Sequence, residues 1–152
     1  MACMTEDVLL HLIIAFLGFT GFAVARHIHA EKKSARPLVC PINFDCDGVV
    51  HSNFSKIFGI PLELLGMFYY ACVCLGYTVL AFVPQILPSN LKSGLLLVSM
   101  FAFLFSIYLT IVQSLVLKKF CSWCLVSAIL CVFIFSFTFA LYDLSGVFGF
   151  YF

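Results

Sequence analysis

Four apolar runs, each long enough to cross a lipid bilayer, constrain the fold of this chain more than any other feature. A spanning helix needs about 20 mostly apolar residues, and such runs cover residues 8–25, 62–83, 95–117 and 121–141. Backbone polar groups cannot stay unpaired in hydrocarbon, and the runs lack the alternation of barrel strands, so we expect helices. The sequence therefore predicts an all-α integral membrane protein, with residues 1–152 forming one four-transmembrane-helix bundle.

The composition agrees with this assignment and excludes one class of partner. Hydrophobic residues make up 64% of the chain and charged residues 10%, whereas a soluble domain is roughly half apolar and a quarter charged. Membrane lipid is therefore the expected surroundings of most apolar side chains. The net charge is only +1, and no Lys/Arg run is long enough to follow a phosphate backbone, so we expect no nucleic acid partner.

The long polar connection between the first two runs, residues 26–61, is predicted to cap the bundle. Loops of this length are usually functional or disordered. Val50, Phe54, Ile57 and Phe58 are spaced as on one face of a helix, which predicts a short amphipathic helix over the bundle mouth. An even number of spans puts both termini on one side, and the capping loop and the start of the fourth helix on the other.

A Cys-x-x-Cys motif, Cys121 to Cys124, begins the fourth run on the same side as the capping loop. Two thiols at this spacing can close a reducible disulfide. The helix N-terminus and the nearby Lys118 and Lys119 would favour the thiolate. Cys124 lies deeper, where a lipid-soluble quinone can reach it, and Cys121 faces the loop. Trp123, between them, is a candidate to stack on a quinone ring.

A second pair, Cys40 and Cys46, lies in the capping loop, within reach of a soluble protein. Exchange between dithiols proceeds through mixed disulfides, so an outer pair and an inner pair form a two-stage relay. The four cysteines can also be interpreted as ligands of a structural zinc ion in a non-enzymatic membrane scaffold. The five-residue spacing of the outer pair is unlike the usual zinc knuckle, and we predict no metal site.

Several motifs together resemble one known family, the vitamin K epoxide reductase (VKOR) family, and its bacterial and archaeal members most. The resemblance covers almost the whole chain. It rests on Cys46-Asp-Gly-Val-Val-His-Ser52, Ser55-Lys-Ile-Phe-Gly-Ile-Pro61, Leu65-Gly66, Tyr69-Tyr70 and Cys121-Ser-Trp-Cys124.

The resemblance implies a function and a role for each cysteine. Cys124 would react with a quinone, Cys121 would exchange with Cys46, and Cys40 would exchange with a thioredoxin-like or DsbA-like partner. Ser52 matches a family serine near the active site, so it joins Trp123 as a candidate quinone-binding residue. Prokaryotic members reoxidise disulfide-forming proteins at the expense of ubiquinone or menaquinone, and this is the function that we predict.

Two departures from the family pattern bear on partner and substrate. The chain has no fused thioredoxin domain after its fourth helix, so we expect the partner to act in trans. Animal enzymes hold vitamin K with an Asn-containing segment and a tyrosine, whereas this chain has Ile60-Pro61-Leu62 and Ala128 there. These differences argue against vitamin K epoxide as the substrate, so reduction of a vitamin K quinone or epoxide is the alternative and not the main prediction. The unrelated DsbB-type quinone oxidases carry their Cys-x-x-Cys in the first external loop, which argues against that class.

The side of the membrane on which the cysteines lie is predicted differently by two arguments. Disulfide chemistry favours an extracytoplasmic active site in the cell inner membrane. The positive-inside rule favours a cytoplasmic one, because only Lys92 lies on the opposite side. The basic residues on the cysteine side are Arg26, Lys32, Lys33, Arg36, Lys56, Lys118 and Lys119.

Overall fold

Long helices dominate the computed structural model, which describes the backbone of residues 2–34, 36–37, 39–40, 45–83, 85–86 and 88–149 and the side chains of these except residues 2–5, 89 and 144–149. Four of the helices are long and apolar enough to cross a membrane, which confirms the predicted all-α bundle. They are α1 (Ala2–Lys33), α3 (Leu62–Phe82), α4 (Ser89–Ile111) and α5 (Ser122–Gly149), and a short helix, α2 (Cys46–Val50), lies in the capping loop.

Helix α1 continues beyond the predicted boundary at residue 25, so the capping loop starts after Lys33 and not at residue 26. The predicted boundary falls just before three polar residues, Arg26, His27 and His29. Polarity marks the edge of the hydrocarbon, whereas a helix ends at a residue that disfavours helical backbone. Residues 26–33 include no Gly or Pro and are mostly good helix formers, so the helix extends into water.

Close packing of α1 against α3 forms the centre of the bundle. Gly18 and Gly21 make this possible, because a Cβ atom at Gly21 would overlap the ring of Tyr70 and one at Gly18 would press on the backbone of Cys74. Small residues at such an interface let two helix backbones approach each other. Helix α5 packs on the same core, and α4 packs mainly on α5, meeting α3 at few positions. A gap therefore remains between α3 and α4.

The capping loop contains a short helix, as expected, but at α2 and not over residues 50–58. A 3₁₀ turn (Asn53–Ser55) follows, and then a small antiparallel hairpin of β1 (Lys56–Ile57) and β2 (Ile60–Pro61). Phe58 and Gly59 form its turn with φ values of 53° and 82°, the backbone that tight hairpin turns require. Phe58 is consequently 100% exposed, and the predicted apolar face does not form.

Helix α4 ends in a π-helical stretch, Val112–Leu117, which leads to the Cys-x-x-Cys motif. Lys118 then adopts a left-handed conformation with φ 52°, which is uncommon for a residue with a side chain. The chain turns there, and α5 begins at Ser122. Local π-helical turns are often found at functional sites, and this one precedes Cys121 by only a few residues.

Candidate redox site

The outer pair, Cys40 and Cys46, is joined by a disulfide, with the two Cα atoms 5.8 Å apart. Cys46 begins α2 and is only 1% exposed. Cys40 is half-buried, and its neighbour Val39 is 78% exposed. A thiolate can attack only a sulfur atom that it can reach. Cys40 is therefore the sulfur of this disulfide that is open to a molecule arriving from water.

Asp45 connects the start of α2 to the segment before the inner pair. Its carboxylate accepts a hydrogen bond from the Gly48 N–H at 2.9 Å and forms an ion pair with Lys119 Nζ at 2.7 Å. The hydrogen bond from Lys119, and secondly that from Gly48, hold the pKa of the Asp45 carboxyl below its ordinary value. The residue before Cys46 is thus tied to a residue close to Cys121.

The inner pair lies where α5 begins, with Cys121 fully buried and Cys124 one turn further along the helix. Both are free thiols, and the Cys124 N–H donates to Cys121 Sγ at 3.4 Å. The pKa of Cys121 is lowered, first by a hydrogen bond from the Cys124 side chain and then by the N–H groups of Cys124 and Trp123. These hydrogen bonds, two of them from N–H groups at the start of α5, favour a thiolate at Cys121.

The two cysteine pairs meet in one apolar cluster, although many residues separate them in sequence. Cys46 and Cys121 are both buried in this cluster, and Cys40 and Cys124 pack against it. Its other buried members are Val24, Ile28, Val49 and Val50. The structure therefore brings together all four cysteines that the sequence analysis selected. Their roles in electron transfer stay predictions.

Trp123 contacts the capping loop. Its indole Nε1 donates to the Val39 carbonyl at 3.2 Å, and its ring lies 4.7 Å from that of His27, centroid to centroid. The residue before Cys40 is thus bound to the Cys-x-x-Cys motif, just as Asp45, the residue before Cys46, is bound to Lys119. Stacking of Trp123 on a quinone stays a prediction, and Trp123 is not among the described residues that border the large cavity of the bundle.

That cavity lies between α3, α4 and α5 under the capping loop and has a volume of 710 Å³. Cys124 and Ser52 both border it. Phe68 and Phe101, which are largely exposed, border it where α3 and α4 separate. An apolar pocket of this size with a few polar groups is typical of small-molecule sites. The cavity is therefore large and apolar enough for a quinone, and Cys124 is among the residues that would border it.

A buried ion pair stands at the base of the capping loop, where the loop leaves α1 and enters α3. Glu63 Oε1 lies 3.1 Å from Lys32 Nζ and 3.7 Å from His29 Nδ1. The Glu63 side chain is 6% exposed, and it also borders the cavity. The structure assigns Glu63 a partner on α1, which joins the two ends of the loop.

Four residues at the site were not predicted to make the contacts that they make: Gln113, Lys32, Asp45 and Lys119, the last of which was expected only to favour the thiolate. Gln113 was the most visible, because it is a lone amide within an apolar span, where polar residues are often functional. The other three are charged residues of ordinary appearance. Their partners are far away in sequence, so no local pattern could identify them.

Comparison with known proteins supplies the family. The model of the vitamin K epoxide reductase family matches residues 10–139. A search of curated proteins gives no match. The matched range includes all four cysteines, the capping loop and the cavity, and family members are quinone-linked thiol/disulfide oxidoreductases. The chain therefore belongs to the vitamin K epoxide reductase family.

Proposed function

We propose that this protein oxidises the dithiol of a thioredoxin-like or DsbA-like partner and passes the electrons to a membrane quinone. Electrons would travel from the partner to Cys40 and Cys46, then to Cys121 and Cys124, and then to the quinone. The observation that carries the proposal is the shared cluster, in which buried Cys46 and buried Cys121 meet while Cys124 borders the cavity.

The first exchange would take place at Cys40. A partner thiolate attacks Cys40 Sγ, the Cys40–Cys46 bond breaks, and Cys46 leaves as a thiolate. The second partner thiol then attacks the mixed disulfide and releases Cys40, so that the partner leaves oxidised and the outer pair is reduced. The exposure of Cys40 relative to Cys46 supports this order, because a large partner reaches only the outer sulfur.

The second exchange would take place between Cys46 and an oxidised inner pair. The Cys46 thiolate attacks Cys121 Sγ, and Cys124 leaves as a thiolate. Cys40 then attacks Cys46, which restores the outer disulfide and leaves the inner pair reduced. The structure has this combination, an outer disulfide with two inner thiols. The hydrogen bonds that lower the pKa of Cys121 also favour it as the sulfur that exchanges in the reverse direction.

The quinone would accept two electrons and two protons as Cys121 and Cys124 return to the disulfide. Cys124 borders the cavity and Cys121 does not, which supports Cys124 as the thiol next to the quinone. Ala128 also borders the cavity, at the position where the resemblance gives animal enzymes a tyrosine. The absence of a hydroxyl there supports a simple quinone as the substrate over vitamin K epoxide.

The zinc-scaffold alternative has less support. Zinc binds thiolates, and two of the four cysteines form a disulfide. Among the described residues, no three His, Cys, Asp or Glu side chains lie close enough together to hold a metal ion.

The function is tested by quinone-dependent oxidation of a reduced DsbA-like protein in detergent, followed by the absorbance of the quinone. Cys124→Ser should abolish turnover, because the thiol next to the quinone is lost. Cys74→Ser is the matched control, since Cys74 is a free thiol of α3 that does not border the cavity, and it should keep wild-type turnover. Normal turnover in Cys124→Ser would refute the proposed route.

A further inference from the structure

Gln113 is a buried amide inside an otherwise apolar part of the bundle, at 6% exposure. It lies in the π-helical stretch at the end of α4 and borders the cavity. Polar side chains are costly at such depth and are usually retained for a function. Irregular π-helical turns mark functional sites for a related reason, because they turn a side chain away from the regular helical direction.

The side-chain oxygen of Gln113 is already occupied. Cys121 N–H donates to Gln113 Oε1 at 3.4 Å. An N–H can bond only to the oxygen of a carboxamide, so this contact fixes which way the amide faces. The backbone carbonyl of Gln113 also accepts the Lys119 N–H at 3.2 Å. Gln113 therefore holds the turn that carries Cys121.

The side-chain nitrogen of Gln113 is in the opposite situation. Within the described residues this nitrogen makes no hydrogen bond. It is also not one of the buried polar atoms that are shut off from solvent without a hydrogen-bond partner. Gln113 borders the cavity, and its NH₂ group is the part of the side chain that is left to donate there. Four hydroxyl groups of cavity-lining residues are already bonded to protein: Ser52 to Val49, Ser55 to Ser52, Tyr70 to Ser127, and Thr110 to Ser106. The Tyr69 hydroxyl is enclosed without a partner, but no contact among the described residues joins it to the turn that carries Cys121.

We infer that Gln113 binds the quinone headgroup, with its amide nitrogen donating to a quinone oxygen while its amide oxygen holds the Cys121 N–H. The inference rests on the proposed function and names a residue for its quinone site. A donor at this place becomes more stabilising as the quinone oxygen gains electron density. Gln113 transfers no proton: both electrons come from the Cys121 and Cys124 sulfur atoms as the disulfide forms, one proton comes from the Cys124 thiol, and water supplies the other when Cys121 is a thiolate.

Binding can be measured without turnover in a Cys124→Ser background. The probe is a short-chain ubiquinone analogue, and the readouts are its dissociation constant in detergent and the shift in melting temperature that it produces. Gln113→Met keeps the side-chain volume and removes both polar atoms, and it should weaken binding about three- to ten-fold, the usual effect of one hydrogen bond. Ser114→Ala is the matched control, because the Ser114 hydroxyl bonds only the Thr110 carbonyl of its own helix. It should bind the quinone unchanged.

Gln113→Glu separates the two halves of the amide. A carboxyl oxygen can accept the Cys121 N–H at any pH, but only a protonated carboxyl can donate to a quinone. Binding by Gln113→Glu should therefore weaken as pH rises, while binding by the parent changes less. Other titratable groups at the cavity are common to both proteins and cancel in the comparison: Glu63, Tyr69, Tyr70, Cys72, Cys131 and the adjacent Cys121.

The possible outcomes distinguish a failure of the role inferred for Gln113 from a failure of the proposed function. Unchanged affinity in Gln113→Met, or the same pH profile in Gln113→Glu and its parent, would overturn the role of Gln113 and leave the proposed function intact. A parent protein that does not bind the quinone at all would overturn the proposed function itself. The rate of Cys121 alkylation without quinone checks that each variant keeps the turn before α5, and Gln113→Glu should match the parent.

Discussion

The outer and inner cysteine pairs use the same chemistry on very different supports. Cys121 and Cys124 are held by the first turn of a long helix, by the Gln113 amide and by a buried core. Cys40 and Cys46 lie in a loop whose described contacts with the inner segment are the α2 packing, the Trp123 bond to Val39 and the Asp45 ion pair with Lys119. In the proposed relay, fixed geometry would favour the quinone reaction, whereas attachment by fewer contacts would let the outer pair meet both a partner and Cys121.

The two cysteines of the outer pair also differ from each other, in how deeply they are buried. Cys46 is buried next to the inner pair, whereas Cys40 is half-buried and follows the exposed Val39. A relay needs such an asymmetry, because a disulfide with two equally exposed sulfur atoms would give the partner no preferred point of attack. Three experiments test how far this difference extends, beginning with the one of largest expected effect.

Removing either outer cysteine should abolish partner oxidation, a loss on the order of a thousand-fold or more, as when a nucleophile is deleted. The trapped species should nevertheless differ. Cys46→Ser leaves Cys40 as a free thiol, which should attack a single-cysteine partner activated as its thionitrobenzoate mixed disulfide, release thionitrobenzoate and stay bound, because no second thiol can resolve the bond. Cys40→Ser leaves buried Cys46 next to Cys121. Once a quinone has oxidised the inner pair, Cys46 should attack Cys121 Sγ, displace Cys124 as a thiolate and form an internal Cys46–Cys121 bond.

Non-reducing gel electrophoresis and mass spectrometry of peptides identify the two species. Cys74→Ser again serves as the control and should trap neither. If Cys40→Ser captured the partner as readily as Cys46→Ser, the two outer sulfurs would be equally accessible, and the asymmetry would be wrong.

Breaking the buried ion pair at the base of the loop should have the next largest effect. Lys32→Met leaves the Glu63 carboxylate buried without its cation, which typically costs about 3–5 kcal/mol of unfolding free energy. The melting temperature should fall, and Cys46 should react faster with a thiol reagent after reduction, because the two ends of the loop are no longer joined. Combining Lys32→Met with Glu63→Gln should restore much of the stability, since no unpaired charge remains.

Lys33→Met is the matched control for this experiment. Lys33 is the next residue of the same helix, is exposed, and has no ion pair within the described part of the chain. It should leave both the melting temperature and the Cys46 reactivity unchanged. A double variant no more stable than Lys32→Met would mean that the lysine acts through packing and not through its charge.

The helices and the choice of cysteines could be predicted because their causes are local. Lipid requires long apolar runs, and a Cys-x-x-Cys spacing is visible in four residues. The end of α1 could not be predicted from polarity, because residues 26–33 leave the hydrocarbon without leaving the helix. The apolar period through Phe58 was misleading for a similar reason, since the positive φ of Phe58 and Gly59 turns the chain back on itself.

The arrangement of the site was less predictable because it depends on contacts across the sequence. The approach of Cys46 to Cys121 results from the packing of α2 under the long end of α1, where Val24 and Ile28 complete the cluster. Gln113 could be noticed as a polar residue in an apolar span, but its two-sided position depends on the π-helical turn. Neither feature has a signature in neighbouring residues.

The smallest expected effect concerns the Asp45–Lys119 ion pair, which is exposed. Because Lys119 holds the pKa of the Asp45 carboxyl below 3.8, the pair is fully formed above that pH and is lost as pH falls through the lower pKa of the folded protein. Lys119→Met should therefore speed reduction of the Cys40–Cys46 disulfide by a phosphine about two-fold at neutral pH, a size typical of a surface pair. Wild type should approach the variant in strong acid and at high salt, where the pair is protonated or screened.

Lys118→Met, at a neighbouring exposed lysine with no ion pair among the described residues, should reduce at the wild-type rate. A rate in Lys119→Met equal to that of Lys118→Met across this pH range would mean that the ion pair does not restrain the outer pair, and that α2 packing and the Trp123 bond alone hold it near Cys121.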